Sequence, residues 1–187
     1  MTQSLCMRFT LPVDMMTLDG TFWVEDGVPY MVFCHEWVQI TNGSIEYIRL
    51  KDDLSETVGE PITLFHGAEA PWARTGKQNG NTVTDGPYLY KGKTGKLYMV
   101  WSSSGAKGYT EGISVSASGK LAGPWTHQAQ PVFGDNGGHG MLFTTFDGRL
   151  MNVLHSPNGP AARPRIFQME DTGDTLQIVK EFTGDNP

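Results

Sequence analysis

Three segments of the sequence repeat one short pattern, and this repetition constrains the fold more than any other feature. Each segment opens with a polar residue and glycine and continues as an apolar and aromatic run. It then turns at Asp-Gly or Thr-Gly and continues as a second apolar run. The segments are residues 19–35, 85–103 and 139–155. Because these turn residues tolerate the positive φ of a tight connection, each segment predicts a β-hairpin.

Further strand-like runs follow every hairpin and predict four strands per repeat. They are residues 44–50 and 61–65, then 112–117 and 125–127, then 165–169 and 176–182. Four short strands in roughly 50–60 residues are typical of a β-propeller blade.

We therefore predict an all-β fold, a β-propeller of four-stranded antiparallel blades. About three blades are expected, near residues 17–66, 83–133 and 137–182, in a single partial propeller domain spanning 1–187. An ordinary β-sandwich is the alternative, but it gives no reason for a polar residue and glycine to open every repeat.

The residues that open the repeats are the first candidates for chemistry. In a propeller the first strand of each blade lines the central channel, so Asp19, Asp85 and His139 are expected to converge on the axis in one structural register. Converging carboxylates raise one another's proton affinity. Inverting glycosidases use such a pair about 6.5–9.5 Å apart, with one group protonated and the other ionised.

Four short motifs give the chain a resemblance to a known family. Residues 18–27 (LDGTFWVEDG), 84–90 (TDGPYLY) and 137–140 (GGHG) resemble the blade openings of glycoside hydrolase family 43, and residues 119–125 (GKLAGPW) resemble its blade ending. The resemblance implies a five-bladed propeller of which this chain holds about three blades. It also implies hydrolysis of arabinosyl or xylosyl linkages in plant polysaccharides, with inversion.

The resemblance also implies roles for the three opening residues. Asp19 matches the acid that tunes the proton donor, and Asp85 matches the general acid, with Asp in place of the usual Glu. His139 matches an axial histidine near a bound calcium or its waters, so calcium is the expected metal, while no cofactor is required. The general base of the family belongs to an earlier blade, so a partner chain, Glu36 or Asp14 would have to supply it.

Other residues have a functional and a structural interpretation. Glu36 could act as an acid or base at the channel mouth with Trp37 as a sugar platform, or both could be an ordinary strand end. Trp72 could stack on a sugar or close the contact between two blades. His155 could face the same cleft as His139 or be a structural histidine, and Arg163 could bind sugar hydroxyls or form a surface salt bridge.

Charge and composition exclude other classes of function. The formal net charge is −6 and no run of Lys and Arg forms a basic patch, so nucleic-acid binding is not expected. No apolar run approaches the ~20 residues that span a bilayer, and residues 1–12 lack the pattern of a signal peptide, so a cytoplasmic protein is expected. No His or Cys spacing predicts zinc.

The leading hypothesis is a glycoside hydrolase with a carbohydrate substrate. A catalytically inactive carbohydrate-binding propeller fragment and a truncated chain with no independent role are the alternatives. Because an open propeller exposes sheet edges and apolar blade faces, association into a homo-oligomer is also expected.

Overall fold

Short β-branched and aromatic runs punctuated by Gly, Asp and Asn divide the chain into strands. A computed structural model describes residues 15–76 and 80–184, and no helix in that part of the chain is long and apolar enough to cross a membrane. Its strands, in order, are β1 (Thr17–Glu25), β2 (Val28–His35), β3 (Ser44–Leu50), β4 (Thr57–His66), β5 (Asp85–Lys91), β6 (Leu97–Gly105), β7 (Gly108–Ser116), β8 (Trp125–His127), β9 (Gly138–Thr144), β10 (Leu150–Ser156), β11 (Arg163–Asp171) and β12 (Leu176–Phe182).

The twelve strands of the described residues form three antiparallel sheets of four, and the strand order within each sheet follows the chain. We call these sheets blade 1 (β1–β4), blade 2 (β5–β8) and blade 3 (β9–β12). The prediction of three four-stranded blades is confirmed. A short helix, α1 (Trp37–Ile40), follows β2, and a 3-10 turn (Gly67–Glu69) follows β4.

Two strands begin four residues earlier than the sequence predicts. β7 starts at Gly108 because a tight turn pairs it with Gly105 at the end of β6. β4 starts at Thr57, which pairs with Leu50. The four additional residues of β7 matter for the site described below.

The apolar core lies between the blades, in two layers that we call the first seam (blades 1 and 2) and the second seam (blades 2 and 3). β6 supplies both, because alternate side chains of a strand point to opposite faces. Leu97, Met99 and Trp101 pack towards blade 1, whereas Tyr98 and Val100 pack towards blade 3, and all five are fully buried.

Candidate active site

The first strand of each blade carries a bulge at its start. Strand pairing shifts between Leu18 and Thr21, between Asp85 and Tyr88, and between the pairs Gly138–His155 and Met141–Val153. These shifts align the three blades residue by residue. The bulge residue in the left-handed region is Asp19 (φ 58°) in blade 1, Gly86 (φ 54°) in blade 2 and His139 (φ 56°) in blade 3.

This alignment corrects one expectation from the sequence. Asp85 precedes the bulge and is equivalent to Leu18 and Gly138, so it does not share the register of Asp19 and His139. The sequence misleads here because the glycine is the second bulge residue in blades 1 and 3 but the first in blade 2. Asp85 therefore directs its side chain to the blade 3 side, where it meets Tyr109.

The structure nevertheless brings the opening residues together. Asp19 accepts a hydrogen bond from the backbone N–H of Gly86 through Oδ2 (3.0 Å), and its Oδ1 lies 3.7 Å from Nε2 of His139. The His139 ring covers Gly86 so closely that a Cβ there would lie 2.8 Å from His139 Cδ2. Three blades thus meet at one point.

Asp85 is the acid at the convergence point whose proton affinity is raised. The pKa of Asp85 is raised to about 6, chiefly by burial and also by the nearby charge of Asp19, while the hydrogen bond from Tyr109 and the charge of His139 act in the opposite direction. Tyr109 Oη donates to Oδ2 at 2.6 Å, and the buried Oδ1 has no partner among the described residues. A carboxyl group with this pKa can hold a proton at mildly acidic pH and release it.

The sequence analysis missed Tyr109, which links Asp85 to the predicted residue His155. The two rings stack at 5.4 Å between centroids with an interplanar angle of 19°, and His155 Nε2 lies 3.0 Å from Asn158 Oδ1. The pKa of the Tyr109 hydroxyl is raised far above its ordinary value by burial and by Asp85, so it remains a donor. The ring centroids of His139 and His155 lie 6.4 Å apart.

Glu36 and Trp37 lie at the start of α1 and are both half-buried. The Glu36 charge reaches Asp85 and raises its pKa, but its effect on the Asp85 pKa is smaller than that of Asp19. Asp14, the other candidate base, lies outside the described residues.

Trp72 is not placed to bind a sugar, which corrects the substrate-binding prediction. Its side chain is buried in the first seam, with its ring 4.7 Å from that of Trp101 and against Gly112, where a Cβ would lie 2.0 Å from the indole. A face that already packs on another aromatic ring is closed to a ligand. The position of Trp72 agrees with the alternative interpretation, in which it closes the contact between two blades.

Two adjoining clefts open beside the convergence point. One, of about 170 Å³, has walls from all three blade openings, including Asp19, Gly86 and His139. The other, of about 330 Å³, is lined by His139, His155 and Arg163 among others, and the Arg163 guanidinium also donates to the carbonyl of Ala162. His139 and Met141 line both clefts.

The predicted calcium does not find a protein-built site here. Within the described part of the chain, no group of three or more His, Cys, Asp or Glu side chains is arranged to hold a metal ion. Ca²⁺ takes six to eight oxygen ligands, and Asp19 beside His139 supplies too few. Calcium near His139 stays a prediction, and no catalytic step is assigned to it.

Comparison with known proteins gives the same architecture. The family model "Glycosyl hydrolases family 43" matches residues 6–175, and no curated protein sequence matches the chain. The solved structure of an endo-arabinase from Bacteroides thetaiotaomicron VPI-5482 is 36% identical, with a TM-score of 0.77 over 94% of this chain.

Two more solved structures resemble the chain at lower identity. An alpha-L-arabinofuranosidase from Lactobacillus brevis is 20% identical (TM-score 0.74, 96% of this chain), and an endo-1,4-beta-xylanase from Bacteroides thetaiotaomicron VPI-5482 is 22% identical (TM-score 0.71, 88% of this chain). At these identities the likeness shows the fold alone. The chain spans 60%, 60% and 58% of the endo-arabinase, arabinofuranosidase and xylanase chains.

Proposed function

We propose that this chain, which belongs to glycosyl hydrolase family 43, carries the proton-donating side of a glycosidase site that acts on arabinosyl or xylosyl linkages. The observation that supports this most is Asp85: a carboxyl group with a pKa of about 6, held by Tyr109 and followed in the chain by Gly86, which lines an open cleft. Proton donors of glycosidases need such a raised pKa.

In the proposed reaction, protonated Asp85 donates to the glycosidic oxygen as the bond from that oxygen to the sugar carbon breaks. Tyr109 donates to Oδ2 of Asp85, so the acidic proton resides on Oδ1, and because Oδ1 is buried, the side chain must turn to bring this proton to the glycosidic oxygen. The charge of Asp19, whose carboxyl group accepts the Gly86 N–H, keeps the proton affinity of Asp85 high.

The second half of the reaction needs a carboxylate that takes a proton from water while the water oxygen bonds to the sugar carbon from the opposite face. Among the described residues we assign this role to Glu36, whose charge acts on Asp85. Inversion requires the two carboxyl groups to lie about 6.5–9.5 Å apart.

Turnover of nitrophenyl arabinofuranosides and xylosides tests the proposal. Asp85→Asn and Asp19→Asn are each expected to lower kcat/KM by ~10²–10⁴-fold, the range for a lost acid or base. Asp52→Asn, on the exposed loop between β3 and β4, is the matched control and should behave as the wild type. Activity that survives both site substitutions would overturn the assignment.

Binding without turnover would favour the other function, a catalytically inactive carbohydrate-binding propeller. Asp85 is one methylene shorter than the glutamate it replaces, and this is the feature that favours such a protein. Calorimetric titration with arabino- and xylo-oligosaccharides distinguishes the two: heat of binding with no released product supports binding alone.

We also propose that copies of the chain associate through the outer face of blade 3. Met141, Val153, Ile166 and Phe182 pair in register across all four strands of that blade, and Met141 and Phe182 are 50% and 42% exposed. Such an apolar row on a sheet face favours association. A monomer in light scattering at micromolar concentration would contradict this.

A further inference from the structure

The bulges align the blades residue by residue, so each side chain of the first seam has an equivalent in the second seam. Cys34 in blade 1 is equivalent to Ser102 in blade 2, because they pair with Leu18 and Asp85. Their partners on the next strand, Ile45 and Glu111, are therefore equivalent as well. Each pair looks towards the following blade.

The first pair is apolar and the second is polar, and the residues that face them differ in the same way. The first seam presents Pro87 and Met99, and the second seam presents their equivalents Gly140 and Asn152. An apolar set in the first seam is thus replaced by a polar set in the second. The polar set is Ser102, Glu111, Gly140 and Asn152; the apolar set is Cys34, Ile45, Pro87 and Met99.

Glu111 is fully buried, yet its carboxylate has partners. Oε1 accepts the backbone N–H of Gly140 at 2.7 Å, and Oε2 accepts the side-chain amide of Asn152. In the first seam Pro87 has no N–H, and apolar Ile45 suffices. Gly140 has an N–H that needs an acceptor, and it has no Cβ, which would lie 2.1 Å from Oε1.

The first bulge residue of blade 3, His139, is also held from blade 2. The backbone N–H of His139 donates to Ser102 Oγ at 2.7 Å. Both N–H groups of the His139–Gly140 bulge are therefore fixed by side chains of blade 2. This matters because His139 has a φ of 56°, a conformation that residues with a Cβ seldom adopt.

We propose that Glu111 is a positioning residue of the active site. By anchoring the Gly140 N–H, its carboxylate keeps the bulge of blade 3 in the shape that puts the His139 ring against Gly86 and 3.7 Å from Asp19. Glu111 touches no substrate and acts only through His139.

Strand β7 shows that Glu111 does not serve packing. Its residues that face blade 3 are Tyr109, Glu111, Ile113 and Val115, and the last two belong to the apolar core of the second seam. An apolar residue at position 111 would continue that core. Buried polar residues that break a local rule without a gain in packing are found mainly where function needs them.

The test compares Glu111→Met, which removes both hydrogen bonds, with Glu111→Gln. The glutamine keeps an acceptor for Gly140, and the Asn152 amide can turn so that its oxygen accepts from the new amide. Ile45→Met places the same side chain at the equivalent position of the first seam and is the matched control.

The main measurement is the nuclear Overhauser effect between His139 Hδ2 and the Gly86 Hα protons, which needs no sugar. We expect it in the wild type, Glu111→Gln and Ile45→Met, and we expect it to be lost in Glu111→Met. The wild-type effect itself tests the ring position, and its absence would overturn the proposal.

The second measurement rests on the proposed function. Glu111→Met should lower kcat on the order of 10²-fold, as small misplacements near a reaction centre do, and Glu111→Gln should restore most of it. If the wild type hydrolyses no glycoside, the proposed function fails while the Overhauser effect still decides the role of Glu111.

Three results would overturn the inference: folded Glu111→Met that retains the Overhauser effect, Glu111→Gln that loses it, or loss in Ile45→Met. If Glu111→Met does not fold, the pair Glu111→Ile and Asn152→Met replaces it. This pair copies the apolar first seam and leaves only the Gly140 N–H unpaired. Retention of the effect in the folded pair would again overturn the inference.

Discussion

The two seams of this molecule join blades of the same design by different means. The first is filled with aromatic and aliphatic side chains. Among them are Phe65 and Trp72, whose ring centroids lie 5.3 Å and 4.7 Å from that of Trp101. The second has a comparable apolar core but ends at the axis in Glu111, Asn152 and the Tyr109–Asp85 pair. Apolar contacts stabilise without direction, whereas hydrogen bonds fix orientation.

The comparison predicts that stability and site geometry can be separated. Trp101→Ala, in the first seam, is expected to lower the free energy of unfolding by about 3–5 kcal/mol, since it leaves a large cavity. Urea unfolding followed by circular dichroism measures this. Ile45→Val, a smaller change in the same seam, should lower it by only about 0.5–1.5 kcal/mol.

In the fraction of Trp101→Ala that stays folded, the His139–Gly86 contact is expected to persist, because Trp101 does not touch it. A loss of that contact in folded protein would contradict the prediction that the first seam stabilises the fold without setting the geometry of the site.

The second seam should make stability depend on pH through Glu111. Burial raises the pKa of Glu111 to about 7, although hydrogen bonds from Asn152 and Gly140 lower it. The folded state thus holds this proton more tightly than the unfolded state, whose pKa is near 4.5. The contribution is fully present below the unfolded pKa and is lost as pH rises to about 7.

The expected loss is roughly 3 kcal/mol across that window. Because Glu111→Gln cannot titrate, the difference in unfolding free energy between it and the wild type should change with pH by about that amount. Urea titrations at several pH values between 4 and 7 measure it. A difference that stays constant, or changes with the opposite sign, would show that Glu111 is ionised throughout.

Tyr109→Phe sharpens the contrast at a single hydrogen bond of the second seam. The Tyr109 hydroxyl lowers the pKa of Asp85, so its removal should raise that pKa further and cost about 1–3 kcal/mol of stability. The carboxyl ¹³C signal of Asp85 should then titrate at higher pH. Tyr90→Phe, on the same blade, is the control.

Much of the architecture was predictable because its signals are local. Tight turns with Asp-Gly or Thr-Gly and the apolar runs beside them give the hairpins, and the blade count and the family prediction are confirmed. The position of Asp85 was assigned one residue out of register, because glycine marks different bulge positions in different blades. Only strand pairing resolves such a shift.

The polar set of the second seam was not predicted, although one signal was present. Tyr109, Glu111, Ile113 and Val115 alternate along one face of β7, and a charged residue within such an apolar row indicates a special role. The predicted strand began only at residue 112, so the row was not recognised. The partners Gly140 and Asn152 belong to another blade, and contacts between blades leave no mark on the local sequence.

The close approach of His139 to Gly86 limits how this cleft can change over evolutionary time. Both the left-handed backbone and the overlying imidazole exclude a side chain at position 86. Substitutions that reshape the cleft are therefore left to other residues of its wall, among them Thr21, Tyr88 and Met141 just past each bulge. Thr21 and Tyr88 lie outside the proposed association face of blade 3, so these two positions have the most room for side chains of a different size.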